Sequence, residues 1–268
     1  MHAHTVCLRC HQKCHLTVEV VDGKIVGMGE ASPDNRKAPC VEVCPIDMDV
    51  PGYLFAASQG KFAEAMAIRR DTNPFPLSCG RVCPHPCEDE CIRGIIDEPI
   101  AIQGVKRMIA DHALGKEDRP VRCERTRKET IGIIGAGPAG LTAAHDLCKA
   151  GYGAVVYEAG PEAGGVLSRI IPDFKLSRQM VQADIDYIQA LGVEIKTDTP
   201  VGEDGPVTID KLLNTHDAVL IATGCWQPLS VAIPGMDLEG RLTWALQESP
   251  ESHVAMHTDS VINVSEIA

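Results

Sequence analysis

A chain of 268 residues with 44% hydrophobic and 23% charged side chains has the composition of a folded globular protein with room for more than one domain. Its 37 acidic against 25 basic residues, a formal charge of -12, exclude a general nucleic-acid surface, which needs concentrated Lys and Arg. No stretch approaches the ~18 apolar residues of a membrane span, and no apolar secretory core follows Met1, so the 12 cysteines are expected in the cytoplasm, serving metal or redox chemistry rather than disulfides.

Residues 1–38 begin with Cys7, Cys10 and Cys14 and continue into two β-rich runs, Leu16 to Val21 and Lys24 to Met28, about an Asp22-Gly23 turn. That pattern predicts a β-hairpin with three thiols at its foot. A zinc site is the competing reading, although zinc ligands usually come as well-separated couples. The stretch resembles the small cluster-binding N-terminal module of the molybdenum and tungsten bis-pterin oxidoreductases. In those proteins one later cysteine completes the triplet, and the resemblance assigns that place to Cys40.

From residue 39 to 115 the periodicity is helical. Asp49-Val50-Pro51 opens one helix, Phe62, Ala65, Met66 and Ile68 share helical spacing, and Asn73-Pro74 ends that run. A further helix is predicted between Pro99 and Leu114. Between them lies a comb of thiols, Cys79, Cys83, Cys87 and Cys91, each separated from the next by three residues. Thiolates this dense, followed by Pro84 and Pro86, point to iron-sulfur ligation and to a small helical module cross-linked by inorganic clusters.

Six blocks in order resemble the helical double-cluster domain of the glutamate synthase small-subunit family. They are Pro39-Cys40-x3-Cys44-Pro45, Asp49-Val50-Pro51, Gly60-Lys61-Phe62-x-Glu64-Ala65, Asn73-Pro74-Phe75-Pro76, Cys79-Gly80-Arg81-Val82-Cys83-Pro84-x-Pro86-Cys87, and Glu98-Pro99-Ile100-Ala101-Ile102. Relatives include the N-terminal region of dihydropyrimidine dehydrogenase and the large subunit of NADH-dependent ferredoxin:NADP oxidoreductases. The resemblance implies two 4Fe-4S clusters with crossed ligands: Cys40 and Cys91 with two upstream thiols for one, and Cys44, Cys83 and Cys87 for the other. This chain departs from the pattern twice. The upstream pair near Cys40 is absent, which leaves Cys7, Cys10 and Cys14 as replacements or as a site of their own. Lys106 stands where relatives carry a Gln or Glu ligand, and an ammonium has no lone pair to offer; Cys79 is then either the substitute ligand or a spare thiol.

Residues 116–129 carry mixed charge without apolar period and read as a solvated linker, in which Cys123 is a free surface thiol. Residues 130–247 open with a strand from Ile131 to Ile134 running into Gly135-Ala136-Gly137-Pro138-Ala139-Gly140 and then a helix. Gly135 suits the tight turn, Gly137 the approach of a pyrophosphate to the helix N-terminus, and Gly140 close helix-strand packing. A second strand ends at Glu158, placed to accept hydrogen bonds from a ribose. The same family resemblance implies FAD as the dinucleotide, with Gly164 and Gly165 against its diphosphate and ribityl chain and Lys175 beside the isoalloxazine, against the alternative of a plain surface lysine. An amphipathic helix is predicted from Arg178 to Leu191, a strand over 193–195, and a closing strand through Asp217 to Gly224. Its Ala222-Thr223-Gly224 resembles the strand that passes FAD in two-dinucleotide flavoproteins, which nominates Thr223 and Gly224. Cys148 and Cys225 read as packing residues.

The expected fold is thus α+β and multidomain: a β-hairpin cluster module, an α-helical ferredoxin-like double-cluster domain, an incomplete α/β Rossmann-like FAD-binding domain, and a polar tail over 248–268. A full-length relative would continue into a second Gly-rich unit for NAD(P)H, so nicotinamide is expected only through a further domain or a partner subunit. The function implied is an electron-transfer flavoprotein subunit, an NAD(P)H-dependent oxidoreductase that delivers electrons to an acceptor subunit or a ferredoxin. The alternative is a non-catalytic iron-sulfur assembly module of a larger redox complex.

Overall fold

The computed structural model describes residues 2–6, 15–21, 24–28, 37–114, 120–203 and 205–225. Cys7, Cys10, Cys14 and the tail expected over 248–268 lie outside the described residues. The chain divides into two compact units, Met1–Glu117 and Asp118–Ala268. Among the described residues no helix is long and apolar enough to cross a membrane.

In the first unit, β1 (His2–Val6), β2 (His15–Val21) and β3 (Lys24–Met28) form an antiparallel sheet in that order. Val21 pairs with Lys24, which is the register the Asp22-Gly23 turn predicts. Strand β1 is an addition that its short, half-polar sequence did not signal.

The helical part follows as α1 (Pro39–Glu42), α2 (Val50–Ser58), α3 (Phe62–Thr72), α4 (Pro76–Val82), α5 (Pro86–Asp89), a 3-10 turn over Ile92–Ile95 and α6 (Ile102–Ala113). Proline sits in the first turn of α1, α2, α4 and α5, where its missing N–H costs nothing and its φ is already helical. Asp49 caps α2 by accepting from the Gly52 N–H at 2.9 Å. Ala65, Met66, Arg69 and Arg70 form the buried stripe of α3, and Ile102, Lys106, Ile109, Ala110 and Ala113 that of α6. Two of these stripe residues, Arg69 and Lys106, are charged, so this core is partly polar.

In the second unit, β4 (Thr130–Ile134), β5 (Gly153–Tyr157), β6 (Glu194–Lys196) and β7 (Ala218–Ile221) make a parallel sheet ordered β6-β5-β4-β7. The crossovers carry α7 (Pro138–Lys149), α8 (Val166–Arg169), α9 (Arg178–Ala190) and α10 (Ile209–Thr215). This is the doubly wound Rossmann order, and it reverses direction at β4. Ile134, Tyr157 and Val219 pack with Val207 and Leu212 on one side of the sheet. Helix α10 was not foreseen, although Thr208 caps it by accepting from the Lys211 N–H at 3.2 Å, a signal present in the sequence.

Candidate functional site

The thiol comb is a helix-turn-helix rather than an open loop. Cys79 lies within α4, Cys83 caps its end, and Cys87 lies within α5. Between them His85 takes a left-handed backbone, φ 48°, which reverses the chain so that both short helices can present thiols. The His85 N–H donates to Cys83 Sγ at 3.3 Å, and the Ile100 N–H donates to Cys91 Sγ at 3.4 Å. Such N–H to sulfur bonds favour thiolate and stabilise a reduced cluster.

Cys79 and Cys83 share a hydrogen bond that divides their acidities. The bond from Cys79 pulls Cys83 down to about 5, while the same bond and burial hold Cys79 well above the ordinary thiol range. Burial pushes Cys87 up to about 11, with Lys106 opposing. The Lys106 side chain is 4% exposed and its Nζ donates to Cys79 Sγ at 3.8 Å. Lys106 therefore supplies positive charge to the Cys79–Cys83 pair, which lies within electrostatic reach of Cys87, and Cys87 in turn of Cys44. Cys79, Cys83 and Cys87 are thus within electrostatic reach of Lys106, and Cys44 within that of Cys87.

Two residues of this site escaped sequence reasoning. Arg69 is fully buried in α3 and donates to the Lys106 carbonyl at 2.7 Å and the Pro76 carbonyl at 2.6 Å, tying α3 to the start of α4 and to α6. Tyr53 of α2 is also fully buried, 6.0 Å from the Arg69 guanidinium at its ring centroid, and it feels the charges of Cys87, Cys79 and Cys40. Its Oη has no hydrogen-bond partner among the described residues. A buried phenol left orphaned beside three thiols is what a removed sulfur acceptor would leave behind, and burial raises its pKa strongly. Together with the N–H to sulfur bonds, it shows that this donor set fits an iron-sulfur cluster. Among the described residues no three Cys, His, Asp or Glu converge as a single metal ion requires.

The second constellation lies at the carboxyl ends of β4 and β7, where the strand order reverses. Gly135, at φ 105°, passes so close beneath Ala222 that a Cβ would strike the Ala222 carbonyl, and that Cβ would sit 3.2 Å from Thr223 Cα. A Cβ on Gly140 would strike the Gly135 carbonyl, so this glycine sets the helix-strand distance. A Cβ on Gly137 would meet nothing within 4 Å, which leaves the turn open on its outer side. Gly137 is the N-cap of α7 with no side-chain cap, and Pro138 follows at the first helical position. The Ala139 and Gly140 N–H groups thus have no intrahelical acceptor. Gly164 donates its N–H to the Ala136 carbonyl at 2.7 Å, and a Cβ on Gly165 would sit 2.8 Å from Gly137 Cα. The second glycine pair is therefore packed on the first.

Glu158, buried at the end of β5, accepts from the Ala136 N–H and the Gly160 N–H, both at 2.9 Å, and pairs with Arg169 at 3.3 Å. It braces the two glycine loops, a role that sequence spacing did not reveal. Thr223 and Gly224 are exposed beside Gly135, whereas Lys175 sits exposed on the turn after Pro172. Cys225 is exposed rather than packed. Cys123 is a free thiol, as expected, but half-buried rather than fully on the surface, and within electrostatic reach of Cys148.

Residues 34–118 match the dihydropyrimidine dehydrogenase domain II, 4Fe-4S cluster family, and residues 133–180 match the NAD(P)-binding Rossmann-like domain family. The chain is 41% identical over 222 residues to the NADP(+)-dependent formate dehydrogenase subunit beta of Moorella thermoacetica, covering 75% of this chain and 31% of that protein. It is 37% identical over 207 residues to the NADPH-Fe(3+) oxidoreductase subunit beta of Geobacter sulfurreducens, covering 76% of this chain and 30% of that one. With the glutamate synthase [NADPH] small chain of Mycobacterium tuberculosis it shares 32% identity over 227 residues, 84% of this chain and 46% of that protein. The chain thus spans between 30% and 46% of the length of these relatives.

Proposed function

We propose that this chain, a homologue of the glutamate synthase small chains and of the beta subunits of NADPH-Fe(3+) oxidoreductase and NADP(+)-dependent formate dehydrogenase, is an electron-transfer flavoprotein subunit working between NAD(P)H and iron-sulfur clusters. The observation that carries this reading is the presence in one chain of a thiol site with an orphaned phenol and a Rossmann cleft opened by Gly137. When bound, FAD exchanges a hydride for single electrons and 4Fe-4S clusters relay them one at a time.

In this reading one cluster is held by Cys44, Cys79, Cys83 and Cys87, with Cys79 taking the place that Lys106 cannot fill. The Lys106 ammonium offsets thiolate charge from its buried position, and the His85 N–H adds a further donor to Cys83. The other cluster takes Cys40, Cys91 and two of Cys7, Cys10 and Cys14. FAD would be held by Gly135, Gly137, Pro138, Ala139 and Gly140, whose Ala139 and Gly140 N–H groups are free to take a diphosphate. Gly164 and Gly165 give its backbone room, and Thr223 and Gly224 border it. Glu158 holds the ribose while bracing the loops, since each carboxylate oxygen accepts more than one hydrogen bond. Lys175, exposed on its turn, would be the basic residue beside the flavin ring. NAD(P)H is met by a further domain or partner subunit, and the electrons leave to an acceptor subunit or a ferredoxin.

The test is iron and flavin content per purified full-length chain, with flavin bleaching by NAD(P)H in the presence of a nicotinamide-binding partner. Two clusters and one FAD are expected, falling to one cluster in Cys44→Ser and, separately, in the Cys7, Cys10 and Cys14 triple Ser variant. Unchanged iron in the triple variant would remove the N-terminal thiols from the ligand set. Iron without flavin under all conditions would favour a non-catalytic assembly module instead.

A further inference from the structure

Away from both constellations, two cysteines that the electron path does not use converge on one carbonyl. Cys148, buried near the end of α7, donates its S–H to the Leu191 carbonyl at 3.2 Å. The Cys123 N–H, on the extended strap before β4, donates to that same oxygen at 2.8 Å. The two thiols also lie within electrostatic reach of each other, Cys123 adding to the rise in the Cys148 pKa. Both line an open cavity of about 500 Å³, together with Arg122, Tyr152, Gln189 and Glu194. Cys123 is partly exposed there, so a small oxidant reaches it without unfolding.

We propose that Cys123 and Cys148 form a reversible dithiol-disulfide site, oxidised by a hydroperoxide that enters this cavity. The two thiols divide the chemistry. Burial first, and then the neighbouring Cys123, push Cys148 up to about 11, so Cys148 keeps its proton at neutral pH and Cys123 attacks first. The Arg122 guanidinium, packed over Gly192 beside Cys148, partly opposes that rise at Cys148. Cys123 sulfur takes the terminal peroxide oxygen, the O–O bond breaks, and the alcohol or water leaves with the thiol proton. Cys148 sulfur then attacks the Cys123 sulfenic acid, the S–S bond forms, and the hydroxyl departs as water with the Cys148 proton. The two thiols together supply the electron pair that reduces the peroxide, and a dithiol reductant reverses the change.

The consequence falls on the strap. Over 120–129 it is held by the Cys123 bond to Leu191, by the Arg127 N–H on the Gly151 carbonyl at 2.9 Å, and by Arg125 on the Lys128 carbonyl at 2.7 Å. Oxidation removes the Cys148 S–H and with it the Cys148 bond to Leu191, and adds to the strap's backbone bonds a covalent anchor to α7.

The proposal stands apart from the cofactor reading and is tested on the full chain with its clusters in place. After stoichiometric hydrogen peroxide and digestion without reductant, wild type should yield a peptide joining Cys123 to Cys148, lost on adding dithiothreitol. The oxidised protein should also show slower amide exchange over 120–127 than the reduced protein. In Cys148→Ser the sulfenic acid on Cys123 persists and is trapped by dimedone, whereas in Cys123→Ser dimedone leaves Cys148 unlabelled. The proposal is overturned if wild type gives no joined peptide while the exposed Cys225 is oxidised, if Cys123 joins another cysteine, or if dimedone labels Cys148 in Cys123→Ser. The wild-type readout needs no variant to fold.

Discussion

One side chain that is not a thiol bears directly on the thiol site. Tyr53 places an unpartnered Oη among Cys87, Cys79 and Cys40, so it is positioned to donate to cluster or cysteine sulfur. Such a bond strengthens when the cluster gains an electron. Tyr53→Phe should therefore lower a midpoint potential by about 20–60 mV, the equivalent of one hydrogen bond of ~0.5–1.5 kcal/mol, without loss of iron. An EPR-monitored redox titration measures this, and an unshifted potential would mean the phenol faces no sulfur. In the Rossmann cleft the deciding residue is Gly140, where a Cβ would strike the Gly135 carbonyl. Gly140→Ala should cost about 1–3 kcal/mol by overpacking and should also lose the flavin, because the turn and helix must separate. Thermal melting alongside flavin absorbance reads both effects.

Short helices cannot hold a fold by propensity alone, and α1, α4 and α5 have only 4, 7 and 4 residues. Arg69 supplies part of what they lack by joining α3, α4 and α6 through the buried Pro76 and Lys106 carbonyls. Each of those charge-assisted bonds contributes ~1.5–3 kcal/mol. Arg69→Ala should then destabilise the helical unit by about 3–5 kcal/mol in urea unfolding. Arg69→Lys should recover only part, since an ammonium cannot span both carbonyls as the planar fork does. A wild-type unfolding curve in Arg69→Ala would contradict this account. In the parallel sheet the elements are sustained differently, by apolar β4, β5 and β7 packed against amphipathic helices, as with Val181, Ile185 and Ile188 of α9.

At the scale of the molecule, the two compact units rest on different physics: the first on a partly polar core that, in the proposed reading, iron-sulfur ligation completes, the second on an ordinary apolar sheet core. Removing iron should therefore act on one unit only. Calorimetry of the full chain after oxidative cluster loss and chelation should show the transition of the first unit lowered or abolished while that of the second is retained. A single cooperative shift of the whole chain would mean the two units fold as one.

The sequence by itself settled whatever depends on near neighbours in the chain. The thiol comb, the Gly135 to Gly140 fingerprint, strands β4, β5 and β7 and helix α9 are legible because 3.6-residue and 2-residue periods, turn glycines and ligand spacing are local signals. Only the tertiary structure decided what meets across the chain. It brought Lys106 to Cys79, 27 residues apart, Glu158 to the Ala136 amide, 22 residues apart, and Cys123 and Cys148 to the Leu191 carbonyl. Each of these pairings joins a donor to an acceptor far from it in the chain. Spacing in sequence carries no such information, because it is the packing of helices and sheet that selects which polar groups must satisfy one another.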